Sequence, residues 1–482
     1  MTTAWRAGYL PGLRAEDVQW QSLHFGDLVV EVPVLRAEQM RALAQRVKRA
    51  AARELQAMTV SRIIEIVDDA VARLLDPRDP VRQEAERLLP AMTGYDAEMV
   101  RLGLSAYLQS FRAPQLHRFV VEDFANPKVL DEFQPAAKGG WVRAFGPQLL
   151  VHSWAGNVPA LPLWSLVCGL LVKGGNIGKL PSAEPVFASL FARLLAEVHP
   201  PLADCLAVVW WKGGDTGAAA ALWSEADTVL AYGGNEAIAQ VRAQLPVTTR
   251  FLGYGHKLGF GLVARTALDT LRGPATARLA AHDIVRYEQQ GCYSPHLFYV
   301  ERGGAVAPRE FARYLAAELA NLQRRFPRRA LALEESAALA AWQHAAELAG
   351  EGAELFGDAG SAWSVTYADR ATPLAPTAGG RSIVVAAVDQ LDDAVAQVAS
   401  QARFLQTAGI AAEPRELFRL AASLGAAGVT RIAALGAMTS PEAGWHHDGR
   451  FNLLDLVRMV EIESSAERAA DRLAPYAQED GR

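Results

Sequence analysis

Cysteine is scarce. The chain has three in 482 residues, Cys168, Cys205 and Cys292. No two lie close enough in sequence for a zinc knuckle or a redox dithiol, so no metal site is expected. Such sparse, widely spread thiols fit a reducing compartment. Basic charge is also short: 48 Lys and Arg stand against 53 Asp and Glu, a net charge of −5. Neither nucleic acid nor an anionic membrane is held without a basic surface. The run Arg324-Arg325-Phe326-Pro327-Arg328-Arg329 is brief and reads as a solvated helix end or loop. Long apolar runs are missing as well. The longest, residues 158–172, has about 15 residues and two prolines, below the roughly 20 that a spanning helix needs. The first 13 residues lack the apolar core of a signal peptide. Together these absences predict a cytoplasmic protein.

What is present is ordinary globular composition, 51% hydrophobic and 21% charged, in a chain too long for one compact core. Residues 1–35 read as short strands and turns. Residues 36–112 carry apolar positions three and four apart, such as Ile63, Ile64, Val67 and Val71, and predict helices. Residues 118–130 read as a linking strand and loop. From Trp141 the texture becomes strand, glycine-containing turn, helix, recurring about every 30 residues, the pattern of a parallel sheet with crossover helices. A second such region runs from Lys257 to Ala434. The expected divisions are an N-terminal strand and helical region over 1–140, a nucleotide-binding domain over 141–257, a catalytic α/β domain over 258–434 and a returning segment over 435–482.

Two glycine-rich turns follow apolar strands, Gly213-Gly214-Asp215-Thr216-Gly217 and Gly233-Gly234-Asn235. Unpaired N–H groups at a helix start suit a phosphate, although neither turn is a complete G-x-G-x-x-G. Among the thiols, Cys168 sits inside an apolar run and reads as core, and nothing around Cys205 favours catalysis. Cys292 lies instead in the turn-forming stretch Gly291-Cys292-Tyr293-Ser294-Pro295. There a glycine admits a substrate, and backbone N–H groups should stabilise an oxyanion and lower the thiol pKa.

Gln289-Gln290-Gly291-Cys292 resembles the nucleophile segment of the aldehyde dehydrogenase superfamily. His152-Ser153-Trp154-Ala155-Gly156-Asn157-Val158-Pro159 is similar to its Trp-Asn-x-Pro turn, and Gly174-Gly175-Asn176-Ile177-Gly178-Lys179 to its Gly-Asn-x-x-x-Lys strand. Within the superfamily, these segments and the C-terminal Arg431-Ile432-Ala433-Ala434-Leu435-Gly436 and His447-Asp448-Gly449-Arg450 resemble the acyl-CoA reductase family, which includes the fatty acid reductases of bacterial bioluminescence.

The resemblance implies an aldehyde dehydrogenase-like α/β fold and assigns roles. Cys292 attacks an acyl thioester, and Asn157 with the Cys292 backbone N–H holds the oxyanion. Trp154, Lys179, Ser182, Gly214, Thr216, Gly233 and Gly234 bind the nicotinamide cofactor. Hydride reaches the acyl-cysteine, and the thiohemiacetal collapses to aldehyde. Aldehyde-oxidising relatives carry a water-activating glutamate in Glu-Leu-Gly-Gly-Lys. Here the stretch is Gly253-Tyr254-Gly255-His256-Lys257, so the acyl-cysteine should persist for reduction. His256 reads as a structural loop residue. A second glutamate of the superfamily lacks a convincing match: Glu354-Leu355-Phe356-Gly357 falls too near Cys292, and Thr377-Ala378-Gly379-Gly380 aligns better. Ser182, three residues beyond Lys179, would not repel a 2′-phosphate, which favours NADPH; nearby Glu184 leaves NADH open. Further implications are an acyl-CoA or acyl-carrier thioester as donor, an acyl-protein synthetase as partner, and a homo-oligomer.

Overall fold

The computed structural model describes residues 4–214, 217–358 and 360–474. Helix-period residues in the N-terminal third form four successive helices, Ala37–Glu54, Val60–Leu75, Pro80–Thr93 and Ala97–Gln109. The second shows why. Thr59 caps it by accepting the Arg62 N–H at 3.2 Å, and Ile63, Ile64, Val67, Val71 and Leu74 are all buried on one face, each worth about 1.5–3 kcal/mol of transfer free energy. The linking strand expected within 118–130 is absent. Ala113–Asp123 is a helix, because Leu116, Phe119 and Val120 share a buried face; spacing overrides the β-propensity of Phe119-Val120-Val121.

The region expected to bind a nucleotide contains a five-stranded parallel sheet in the order Arg250–Tyr254, Thr228–Tyr232, Leu149–Ser153, Gly175–Lys179, Leu206–Val209. The chain starts in the middle, fills one side and then the other. The switch point therefore lies between Leu149–Ser153 and Thr228–Tyr232, where parallel sheets open a crevice at their carboxyl ends. The apolar run that is too short to span a bilayer becomes the buried helix Pro162–Leu171 on this sheet. Among the described residues, no helix is long and apolar enough to cross a membrane.

The second sheet has seven strands, ordered Ala353–Phe356, Ser364–Ala368, Ser382–Val388, Pro295–Glu301, Leu258–Val263, Leu405–Ala411, Arg431–Ala434. All neighbours are parallel except the first pair. Cys292 enters this sheet at the amino end of Pro295–Glu301. Trp141–Phe145, read from sequence as the start of the nucleotide-binding domain, instead pairs with Arg458–Ile462 and Gln134–Pro135 in a three-stranded antiparallel sheet.

Candidate active site

The segment that carries Cys292 is built on an unusual backbone. Tyr287, Glu288 and Gln289 are consecutive non-glycine residues with φ of 54°, 53° and 60°, a conformation that costs roughly 1–2 kcal/mol per residue. Buried polar bonds hold it. Arg381, itself at φ 66°, donates to both Glu288 carboxylate oxygens at 3.1 and 2.7 Å, and both side chains are fully buried. The Gln289 amide donates to the Pro295 and Ser382 carbonyls. The Tyr95 hydroxyl, from the N-terminal helical region, lies 2.7 Å from the Asn157 carbonyl and 3.3 Å from that of Tyr287. A Cβ on Gly291 would fall 2.4 Å from the Tyr293 ring, so only glycine fits before the cysteine.

Cys292 opens on a cavity of about 690 Å³ that also takes in Asn157, Gly233, Gly234, His256 and His447. The Asn157 amide donates to the Gln290 carbonyl at 2.5 Å, which ties the Asn157 loop to the segment that carries Cys292; the amide has a second N–H as well. The expected low thiol pKa is not found. Burial pushes the Cys292 thiol up to about 11, against the opposing bond from Gln406, because enclosing protein solvates a thiolate poorly. The Gln406 amide donates to Sγ at 3.3 Å and to Asp448 Oδ1 at 2.6 Å. His447 Nε2 lies 4.0 Å from Sγ, with its ring stacked on Tyr254 and packed beside Trp445. Burial holds this imidazole down at about 4.

The other two cysteines are buried, and desolvation raises both thiols, Cys205 up to about 12. His256 lines the cavity, and its backbone N–H donates to Asn235. Glu354 pairs with Arg309 at the edge of the seven-stranded sheet, away from the cavity, whereas Thr377 binds the cavity residue His296 through backbone and hydroxyl.

Toward the nucleotide end, Gly233 and Gly234 open on the cavity. Gly234 precedes the helix Asn235–Ala243 with open space where a Cβ would stand, as at Gly213 and Gly214. A glycine turn that opens a helix leaves backbone N–H groups of the kind that suit a phosphate. Thr216 lies outside the described residues. Lys179 ends its strand with Nζ 5.6 Å from the centre of the Trp211 ring, and burial lowers its pKa. The Ser182 hydroxyl accepts from Trp210 at 3.3 Å. Glu184 is turned inward, accepting the Val186 and Phe187 N–H groups to start a helix, so its carboxylate is committed. The Trp154 side chain is committed too: it bonds Ser165, stacks on His152 and fills the space over Gly178, where a Cβ would be 1.7 Å from the ring. Its backbone N–H donates to the Lys179 carbonyl at 3.3 Å, so only its own carbonyl is left for a ligand.

Sequence reading missed Gln406, Asp448 and Tyr95 as site residues. Nothing local marks the first, a glutamine 114 positions from the cysteine it binds. His447 and Asp448 stood in a segment of family character, but without a role.

Comparison with known proteins bears on the fold and the family. Among solved structures, an indole-3-acetaldehyde dehydrogenase complexed with NAD+ superposes with a TM-score of 0.75 at 14% identity, covering 95% of this chain and 96% of that one. An NADP-dependent glyceraldehyde-3-phosphate dehydrogenase from Bacillus halodurans complexed with NADP gives 0.70 at 12% identity, over 96% and 100%. The fold is thus that of the aldehyde dehydrogenases. In sequence, a long-chain acyl-protein thioester reductase of Photorhabdus luminescens is 27% identical over 94% of this chain and 91% of its own length. One of Vibrio harveyi is 26% identical over 78% and 77%. The family model described as acyl-CoA reductase (LuxC) matches residues 55–459, and the chain belongs to that family.

Proposed function

We propose that this chain performs its family's reaction, reduction of an acyl thioester to an aldehyde, through an acyl group carried on Cys292 and with NADPH as reductant. The observation that carries the reading is Cys292 on the wall of one cavity, with Asn157 bonded to its segment. Cys292 is the nucleophile, and Asn157 with the Cys292 backbone N–H receives the oxyanion. The glycine cradles and Lys179 fit a dinucleotide, with Gly214, Gly233 and Gly234 facing its phosphates and Lys179 its ribose. Bound there, a reduced nicotinamide supplies the hydride. Ser182 at the ribose position and the inward-turned Glu184 support a 2′-phosphate, since neither sets a free carboxylate against it. The stretch Gly253-Tyr254-Gly255-His256 stands where a hydrolytic relative has its glutamate, so the acyl group is kept for reduction.

The acyl-protein thioester in the names of the relatives supports a long-chain donor held on a protein, delivered by an acyl-activating partner, with acyl-CoA as its small-molecule counterpart. The protein is cytoplasmic in this reading. The test is NADPH oxidation over acyl-CoAs of increasing length, with intact-mass analysis of the enzyme after incubation without cofactor. An acyl adduct on Cys292, its loss in Cys292→Ser with activity down at least ~10³-fold, and faster turnover with NADPH than with NADH are expected. Normal activity in Cys292→Ser would sink the proposal.

A further inference from the structure

We propose that His447 is the base that takes the Cys292 proton during acylation and passes it to the departing thiol. The inference rests on the acyl-cysteine reading above and adds a catalytic residue to it. Cys292 is a thiol that burial pushes up to about 11, so roughly 10⁻⁴ of it is thiolate at pH 7. A thiol so rarely ionised needs a base within reach. His447 Nε2 lies 4.0 Å from Sγ. The other two cavity histidines are less well placed: His296 has Nδ1 bound to Thr377, and no contact joins His256 to the sulfur among the described residues.

The surroundings of His447 suit a base that must start neutral. Burial is the dominant influence and keeps the imidazole unprotonated at neutral pH, with Lys257 and Arg450 acting in the same direction and Asp448 against. Arg431, on the edge strand Arg431–Ala434, acts on Cys292 through its charge and favours the thiolate. The same surroundings receive the proton once it moves. The ring of His447 is stacked 4.5 Å from Tyr254, its centre 4.8 Å from that of Trp445, and Asp448 Oδ1 lies 4.0 Å from Nε2. Asp448 and the aromatic faces offset part of the burial that otherwise disfavours an imidazolium. Gln406 fixes this carboxylate and the sulfur with one amide.

The step balances without a co-reactant. The Cys292 S–H proton moves to His447 Nε2 as the sulfur–carbonyl carbon bond forms, and the carbonyl π pair becomes the oxyanion. On collapse the bond to the departing sulfur breaks, its pair stays on that sulfur, and the His447 proton joins it. The acyl group has changed sulfurs, and nothing has been oxidised.

The test is the first turnover of the full-length enzyme with hexadecanoyl-CoA and no nicotinamide, following free CoA by chromatography and the Cys292 adduct by mass. His447→Gln should slow acylation by ~10²–10³-fold while reaching the same final adduct. Added imidazole should recover part of the rate in His447→Ala, a response that a purely structural role would not give. The wild-type first turnover should also be slower in D₂O, a measurement that needs no folded variant. Unchanged rates in folded variants, or no solvent isotope effect, would overturn the role of His447 alone. A wild-type enzyme that takes no acyl group on Cys292 would overturn the acyl-cysteine reading, and this inference with it.

Discussion

At the scale of single residues, the thiol is tuned by competition. Enclosure raises the Cys292 pKa, and the Gln406 amide, donating to Sγ at 3.3 Å, works against it. Alkylation by iodoacetamide reads the thiolate fraction, so in the native chain its rate at Cys292 should climb about tenfold per pH unit through the neutral range and level only near 11. Gln406→Leu keeps the volume and removes the donor. With less to stabilise the thiolate, the pKa moves further up and the whole curve to higher pH, lowering the rate at any fixed pH below the plateau by roughly three- to tenfold. A variant rate equal to the native rate at each pH between 7 and 9 would show that the amide does not act on the sulfur. The sequence gives no hint of this pairing, because a glutamine at the start of a strand has many local uses. Only the packing of Leu405–Ala411 beside Leu258–Val263 in the seven-stranded sheet brings it beneath the nucleophile.

At the scale of elements, the turn that delivers Cys292 is under strain and is held by a buried ion pair. Three left-handed residues in succession are tolerated because Glu288 is gripped by Arg381 with neither side chain exposed. Removing one partner leaves an uncompensated buried charge, which typically costs 3–5 kcal/mol. Arg381→Met should therefore destabilise the fold by about that much in urea denaturation, and should slow acylation because the nucleophile begins four residues on. Replacing both partners, Glu288→Leu with Arg381→Met, should recover much of the stability but less of the activity, since the turn loses its anchor. Equal loss of stability in the single and double variants would refute the ion-pair account. How much was legible in sequence follows the same division. Strands such as Thr228–Tyr232 and Ser382–Val388 announced themselves by β-branched runs between turns. Cys292 and Asn157 could be named as candidates because the motifs that resemble those of a known superfamily are local. The strained turn was not, since Tyr287-Glu288-Gln289 contains no glycine, and the reason for its shape lies in Arg381.

At the scale of the whole molecule, the N-terminal helices, whose purpose was not legible, help enclose the cavity: Met92, Thr93, Tyr95 and Tyr107 line it beside the nucleophile segment. These helices thus contribute to the cavity wall, and association is a separate question. The three-stranded sheet bears on association. Its outer strand, Arg458–Ile462, is an edge with exposed Met459 and Ile462, and its neighbour carries exposed Trp141. An edge strand leaves backbone N–H and C=O groups unpaired, and apolar side chains beside them invite pairing with another chain. The homo-oligomer that the family resemblance implies is expected to form through that edge. Light scattering on the eluting native protein should give a multiple of 52.0 kDa. Met459→Lys with Ile462→Lys should shift it toward one chain by placing like charges across the contact, and should leave acylation of Cys292 within about twofold, since neither residue reaches the cavity. A native mass of 52.0 kDa would refute the oligomer, and an unchanged multiple in the double variant would move the contact to another surface.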